Sequence, residues 1–108
     1  MNRRSAPRYP LRAPAVLVTA GDAGPEVCTG HTVEVSTGGC TVELDQPLEG
    51  ATAEGVLLVR IEDRELAMLT GPITAQAAAA ERLGLRFVAA TEPDPAWAEL
   101  VASLDREG

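Results

Sequence analysis

Four arginines stand at positions 3, 4, 8 and 12 of a 108-residue chain, ahead of its first acid, Asp22. A guanidinium group is planar, permanently charged and presents a fork of N–H donors. It bonds a phosphate, or the Hoogsteen edge of a guanine, in two places at once. Beyond residue 12 come sixteen Asp and Glu against five arginines, and the formal net charge of the whole is −7. No lysine is present. Composition alone reads the cluster as a solvated basic tail. If it binds, its match is a small anion, because duplex nucleic acid needs a broad cationic face that this acidic body lacks.

A second candidate is "EVSTGG", residues 34–39. Glu34 and Ser36 are two apart, so on a strand both side chains leave by one face, opposite Val33 and Val35. A carboxylate accepts from the N1–H and N2–H₂ of guanine, and a serine hydroxyl donates to a base or a phosphate. Gly38 and Gly39 let a ligand come close to the backbone and permit the positive φ angles of hairpin turns. On its own the stretch is an ordinary hairpin with polar residues facing water.

Other chemistry is poorly represented. His31 is the only histidine and has no Ser or Asp partner placed for a triad. Cys28, His31 and Cys40 lack zinc-ligand spacing, and two small buried thiols are the better reading of the cysteines. The sequence holds no Walker loop, no GxGxxG and no supported pair of catalytic carboxylates. We therefore expect no enzyme, no cofactor and no metal.

The elements that must position these residues are mostly strands. "APAVLVTA" (13–20), "EVCTGHTVEV" (26–35), "CTVEL" (40–44), "VLLVRIE" (56–62) and "RLGLRFVA" (82–89) carry strand patterning. The inward residues read as Val33, Val35, Cys40, Val42, Leu44, Leu57, Val59, Ile61, Leu83, Leu85 and Phe87. "DR" (63–64) closes a hairpin, and Pro72 breaks or bulges the next segment. "AQAAAAE" (75–81) is placed in a hairpin, despite alanine's helical preference, because strands flank it. The last segment is a helix with Asp94 as N-cap, Pro95 opening it, and Trp97, Leu100, Val101 and Leu104 on one face. No apolar run is long enough to cross a membrane. The expectation is one cytoplasmic, all-β domain, an antiparallel barrel or sandwich with a terminal helix.

The motifs acquire meaning together. RxxxR at Arg4 and Arg8 is followed by ExSxxG at Glu34, Ser36 and Gly39, then by "GLRF" in the last strand and an amphipathic helix. This order resembles the PilZ domain, a bacterial receptor module for cyclic di-GMP, over essentially the whole chain. The resemblance implies a six-stranded antiparallel β-barrel with a C-terminal α-helix. It implies a clamp segment, residues 1–12, free and mobile without ligand, and a barrel-plus-helix body, residues 13–108. Arg4 and Arg8 would grip phosphates and guanine edges, and Ser36, Gly38 and Gly39 would meet the second guanine and a phosphate. Arg3 stands where the family associates an arginine with a stacked ligand dimer. The implied partners are cyclic di-GMP and an unidentified effector protein, with no duplex nucleic acid and no membrane insertion. Glu34 departs from the family's Asp or Asn, and its extra methylene displaces the carboxylate. That departure supports an alternative, a PilZ adaptor that has lost the nucleotide and acts by protein contact.

Overall fold

The computed structural model describes residues 7–21, 24–48, 50, 54–78, 82–88 and 95–107. In chain order the elements are β1 (Tyr9–Pro10), β2 (Pro14–Gly21), β3 (Gly24–Ser36), β4 (Gly39–Leu44), β5 (Gly55–Ile61), β6 (Arg64–Thr70), α1 (Ala75–Ala78), β7 (Arg82–Arg86) and α2 (Pro95–Glu107). The seven strands form one sheet in the order β6-β5-β2-β3-β4-β7, with β1 added beside β3. Every pairing is antiparallel. The mostly β fold with a terminal helix is as the strand patterning indicates.

Alternation decides which side of each strand faces inward. Leu17, Val35, Val42, Leu57 and Val59 are fully buried, and Leu66, Met68, Leu83 and Leu85 join them. Burying each such side chain contributes roughly 1.5–3 kcal/mol. Helix α2 lays Trp97 and Val101 on this core, with Leu100 and Leu104 at its margin. The Asp94 cap lies outside the described residues. Among the described residues no helix is long and apolar enough to cross a membrane.

Several expectations are corrected. The edge strands β6 and β7 meet only at an isolated bridge, Thr70 with Phe87. Two backbone bonds support it, Gly71 N–H to Arg86 O at 2.8 Å and Val88 N–H to Leu69 O at 2.9 Å. A continuous ladder between them is absent, so a closed six-stranded barrel is not what the described residues form. Residues 75–78 are helical rather than part of a hairpin. Thr74 caps that turn, its Oγ1 accepting from Ala77 N–H at 3.1 Å, and Pro72 has already ended β6. The β5–β6 turn is Glu62–Asp63, one residue earlier than expected, with Ile61 paired to Arg64 and Glu62 at φ 58°.

The largest correction lies in β3. A bulge between Thr32 and Glu34 shifts the register with β4. Thr32 faces inward and is fully buried, while Val33 is only half-buried. The Thr32 hydroxyl donates to Leu11 O and accepts from Ala13 N–H at 2.9 Å. Leu11 N–H donates to Val33 O at 3.1 Å. Residues 9–13 are thereby fastened along β3, so the part of the arginine segment that follows Arg8 is docked on the sheet.

Candidate functional site

The bulge resets the alternation so that Val35 points inward and Glu34 and Ser36 point outward. Cross-strand pairing then sets the neighbours. Glu34 pairs with Thr41 and Thr41 with Gly84; Ser36 pairs with Gly39 and Gly39 with Arg86. These two rows form the bed of an open groove of about 640 Å³ on the outer face of β3, β4 and β7. Arg8 overhangs it from the segment entering β1, its Nη1 3.6 Å from Glu34 Oε1. Both side chains are about half-exposed or more, so the ion pair contributes about 0–1 kcal/mol.

The hairpin itself is held from behind. Ser36 O accepts from the indole Nε1–H of Trp97 at 2.8 Å, and Gly38 O accepts from Phe87 N–H at 2.9 Å. Phe87 meets Trp97 edge to face, with ring centroids 5.2 Å apart. Ser36 Oγ donates to Gly39 O across 3.3 Å. Gly39 owes its lack of a side chain to close approach, since a Cβ there would lie 2.2 Å from Leu85 O. Neither Gly38 nor Gly39 is among the described residues with positive φ, which are Glu62 and Gly24. The turn therefore does not use the left-handed conformation expected of its glycines.

Of the residues singled out in the sequence, Arg8, Glu34, Ser36, Gly38 and Gly39 line this one groove. Arg3 and Arg4 lie outside the described residues. Thr41, Gly84 and Arg86 also line it and were missed. Their signal was present in "RLGLRF": with Leu83 and Leu85 inward, Gly84 and Arg86 must face out. What was lacking was the register that sets them beside Ser36.

Cys28, His31 and Cys40 do not converge. Cys28 and Cys40 are buried and form no disulfide, and burial pushes the Cys40 thiol up to about 12. His31 faces outward, its Nε2 3.1 Å from Arg12 Nη1 and 3.2 Å from Glu43 Oε1. Among the described residues no group of His, Cys, Asp and Glu is placed to hold a metal ion.

Tyr9, next to Arg8, donates its phenolic hydrogen to Asp105 of α2 at 2.6 Å. The hydrogen bond to Asp105 raises the Tyr9 pKa, with desolvation and the carboxylate's charge adding to it.

The groove offers one wall of cationic and anionic side chains, a floor with little side-chain bulk and backbone within reach. Such a surface has the charge, flatness and exposed backbone that suit a flat polar anion. Comparison with known proteins agrees in fold. A crystal structure of the PilZ domain of CeSA from a cellulose-synthesizing bacterium superposes with a TM-score of 0.64 at 22% identity, covering 93% of this chain and 99% of that one. No curated protein is similar enough to count as a match. The family model for the PilZ domain matches residues 2–105. The chain therefore belongs to the PilZ domain family, a family of cyclic di-GMP receptor domains.

Proposed function

We propose that this protein is a non-enzymatic, cytoplasmic receptor that binds cyclic di-GMP in the outer-face groove and relays its presence to an effector protein. The observation that carries the reading is the convergence of Arg8, Glu34, Ser36, Gly38 and Gly39 on one groove. Residues 1–12 act as the clamp and the body from residue 13 as the platform. Arg4 and Arg8 grip phosphate and guanine edges. Ser36 and the backbone at Gly38 and Gly39 meet the second guanine. Arg3 adds a contact to a stacked ligand dimer.

The route to an effector is supported by two contacts to α2. Arg8 is followed by Tyr9, which is bonded to Asp105, and the Ser36 carbonyl is bonded to Trp97. A ligand that moves either residue acts on the helix directly.

Calorimetric titration with cyclic di-GMP, with GTP as control, tests the proposal. Saturable heat with the cyclic dinucleotide alone is expected, and its stoichiometry reads the role of Arg3. Silence in calorimetry and no thermal shift would favour the adaptor reading. That reading draws on the Arg8–Glu34 ion pair, in which the clamp arginine already has a carboxylate partner.

A further inference from the structure

The far wall of the groove carries a second cation. Leu83 and Leu85 of β7 are buried, so Gly84 and Arg86 leave by the opposite face. Arg86 pairs with Gly39 and Gly84 with Thr41, which brings both residues beside the ExSxxG hairpin. Two outward arginines occupy β7, and their situations differ. Arg82 is held by Glu43, Nε to Oε2 3.3 Å. The Arg86 guanidinium is exposed and has no ion pair or side-chain hydrogen bond among the described residues. Its backbone is fixed all the same, because Arg86 O accepts from Gly71 N–H and the next residue's N–H donates to Gly38 O. The result is a free charge on an anchored stem, aimed at the groove in an otherwise acidic protein.

Gly84 complements it. A Cβ built there has no atom within 4 Å. The absent side chain therefore relieves no clash within the fold; it keeps the bed of the groove bare between Thr41 and Arg86.

We infer that Arg86 is a further phosphate-binding cation of this groove, facing Arg8 across a floor that Gly84 holds open. The inference rests on the receptor reading above and deepens it. Strands β1, β3, β4 and β7 lie side by side here, so the Arg8 and Arg86 strands are three spacings apart, about 14 Å. A cyclic dinucleotide carries two phosphodiesters on opposite sides of one ring, and two guanidinium groups on opposite walls answer both.

The test is calorimetry with cyclic di-GMP on the wild type and on Arg86→Gln, Gly84→Val and Arg60→Gln, each checked by thermal melting. Arg60 lies outside this groove, on β5, and its variant changes the net charge equally. Arg86→Gln is expected to weaken binding about tenfold or more, as loss of a charge-assisted bond does. Gly84→Val should remove binding while the melting temperature stays near wild type, and Arg60→Gln should bind as wild type. If the wild type binds and Arg86→Gln and Gly84→Val bind equally well, the inference is wrong and the receptor reading stands. Equal losses in Arg86→Gln and Arg60→Gln would reduce Arg86 to general electrostatics and likewise overturn it. A wild type that binds no cyclic di-GMP overturns both.

Discussion

The indole of Trp97 and the carbonyl of Ser36 are joined by a 2.8 Å hydrogen bond, which ties the C-terminal helix to the hairpin beneath the groove. Trp97 is fully buried, so its indole N–H depends on this bond for a partner. Trp97→Phe keeps an aromatic ring against Phe87 but removes the donor to the Ser36 oxygen and leaves a gap where the second ring lay. We expect a loss of roughly 2–4 kcal/mol in denaturant unfolding. The wild-type fluorescence of this sole tryptophan should also change on ligand addition, because its partner residue lies in the binding groove.

Arg8 is exposed and, among the described residues, its side chain is held by a single surface ion pair. Arg8→Ala should therefore cost less than about 1 kcal/mol of stability. Its effect belongs to binding: calorimetry should show cyclic di-GMP affinity abolished in a protein that melts normally. Wild-type affinity should also fall as salt rises, because the attraction is between guanidinium and phosphate. Unchanged affinity in the variant would remove Arg8 from the clamp.

Glu34 reaches Arg8 with the methylene that the family's shorter residue lacks. Glu34→Asp shortens that reach, loosens the ion pair and returns the carboxylate to the family position. The expected outcome in a titration is tighter binding of cyclic di-GMP. Weaker binding would mean that the longer side chain makes a contact of its own.

Gly38 and Gly39 are neighbours with different burdens. A Cβ at Gly38 meets nothing within 4 Å, whereas one at Gly39 lies 2.2 Å from Leu85 O. Gly38→Ala should melt near wild type. Gly39→Ala forces β4 away from β7 and should lower the melting temperature sharply or prevent folding. Similar melting of the two would refute the close-approach account.

Tyr9 is the only tyrosine, so its ionisation can be followed by absorbance alone. Its bond to Asp105 raises the pKa above the ordinary 10.0. The sign follows: the contact stabilises β1 on α2 fully below the ordinary value and is lost as pH climbs through the raised one. Asp105→Ala should bring the titration back toward 10.0.

How far the sequence reaches is clearest in β3. Alternation places Glu34, Ser36 and Val35 on their true faces, because the hydrophobic pattern from Val35 onward is unbroken. It fails at Thr32 and Val33, since a bulge swaps the faces of the two and leaves no compositional mark. The short helix at 75–78 is missed for a related reason: the alanine run signals helix, and the flanking strands outweigh it. Arg86 and Gly84 were visible as outward residues but not as members of the site, because cross-strand register is set by pairings far apart in the chain. The seam between β6 and β7 was equally hidden, being one bridge rather than a pattern.

The two contacts that back the groove span the chain: Ser36 to Trp97 crosses 61 residues, and Tyr9 to Asp105 crosses 96. A chain emerging from the ribosome carries its arginines and its hairpin long before either helical partner exists. Contacts of such separation form late, after the loops they close have been drawn together. The groove is thus completed only once α2 has packed, so its geometry depends on closure of the fold's longest-range contacts.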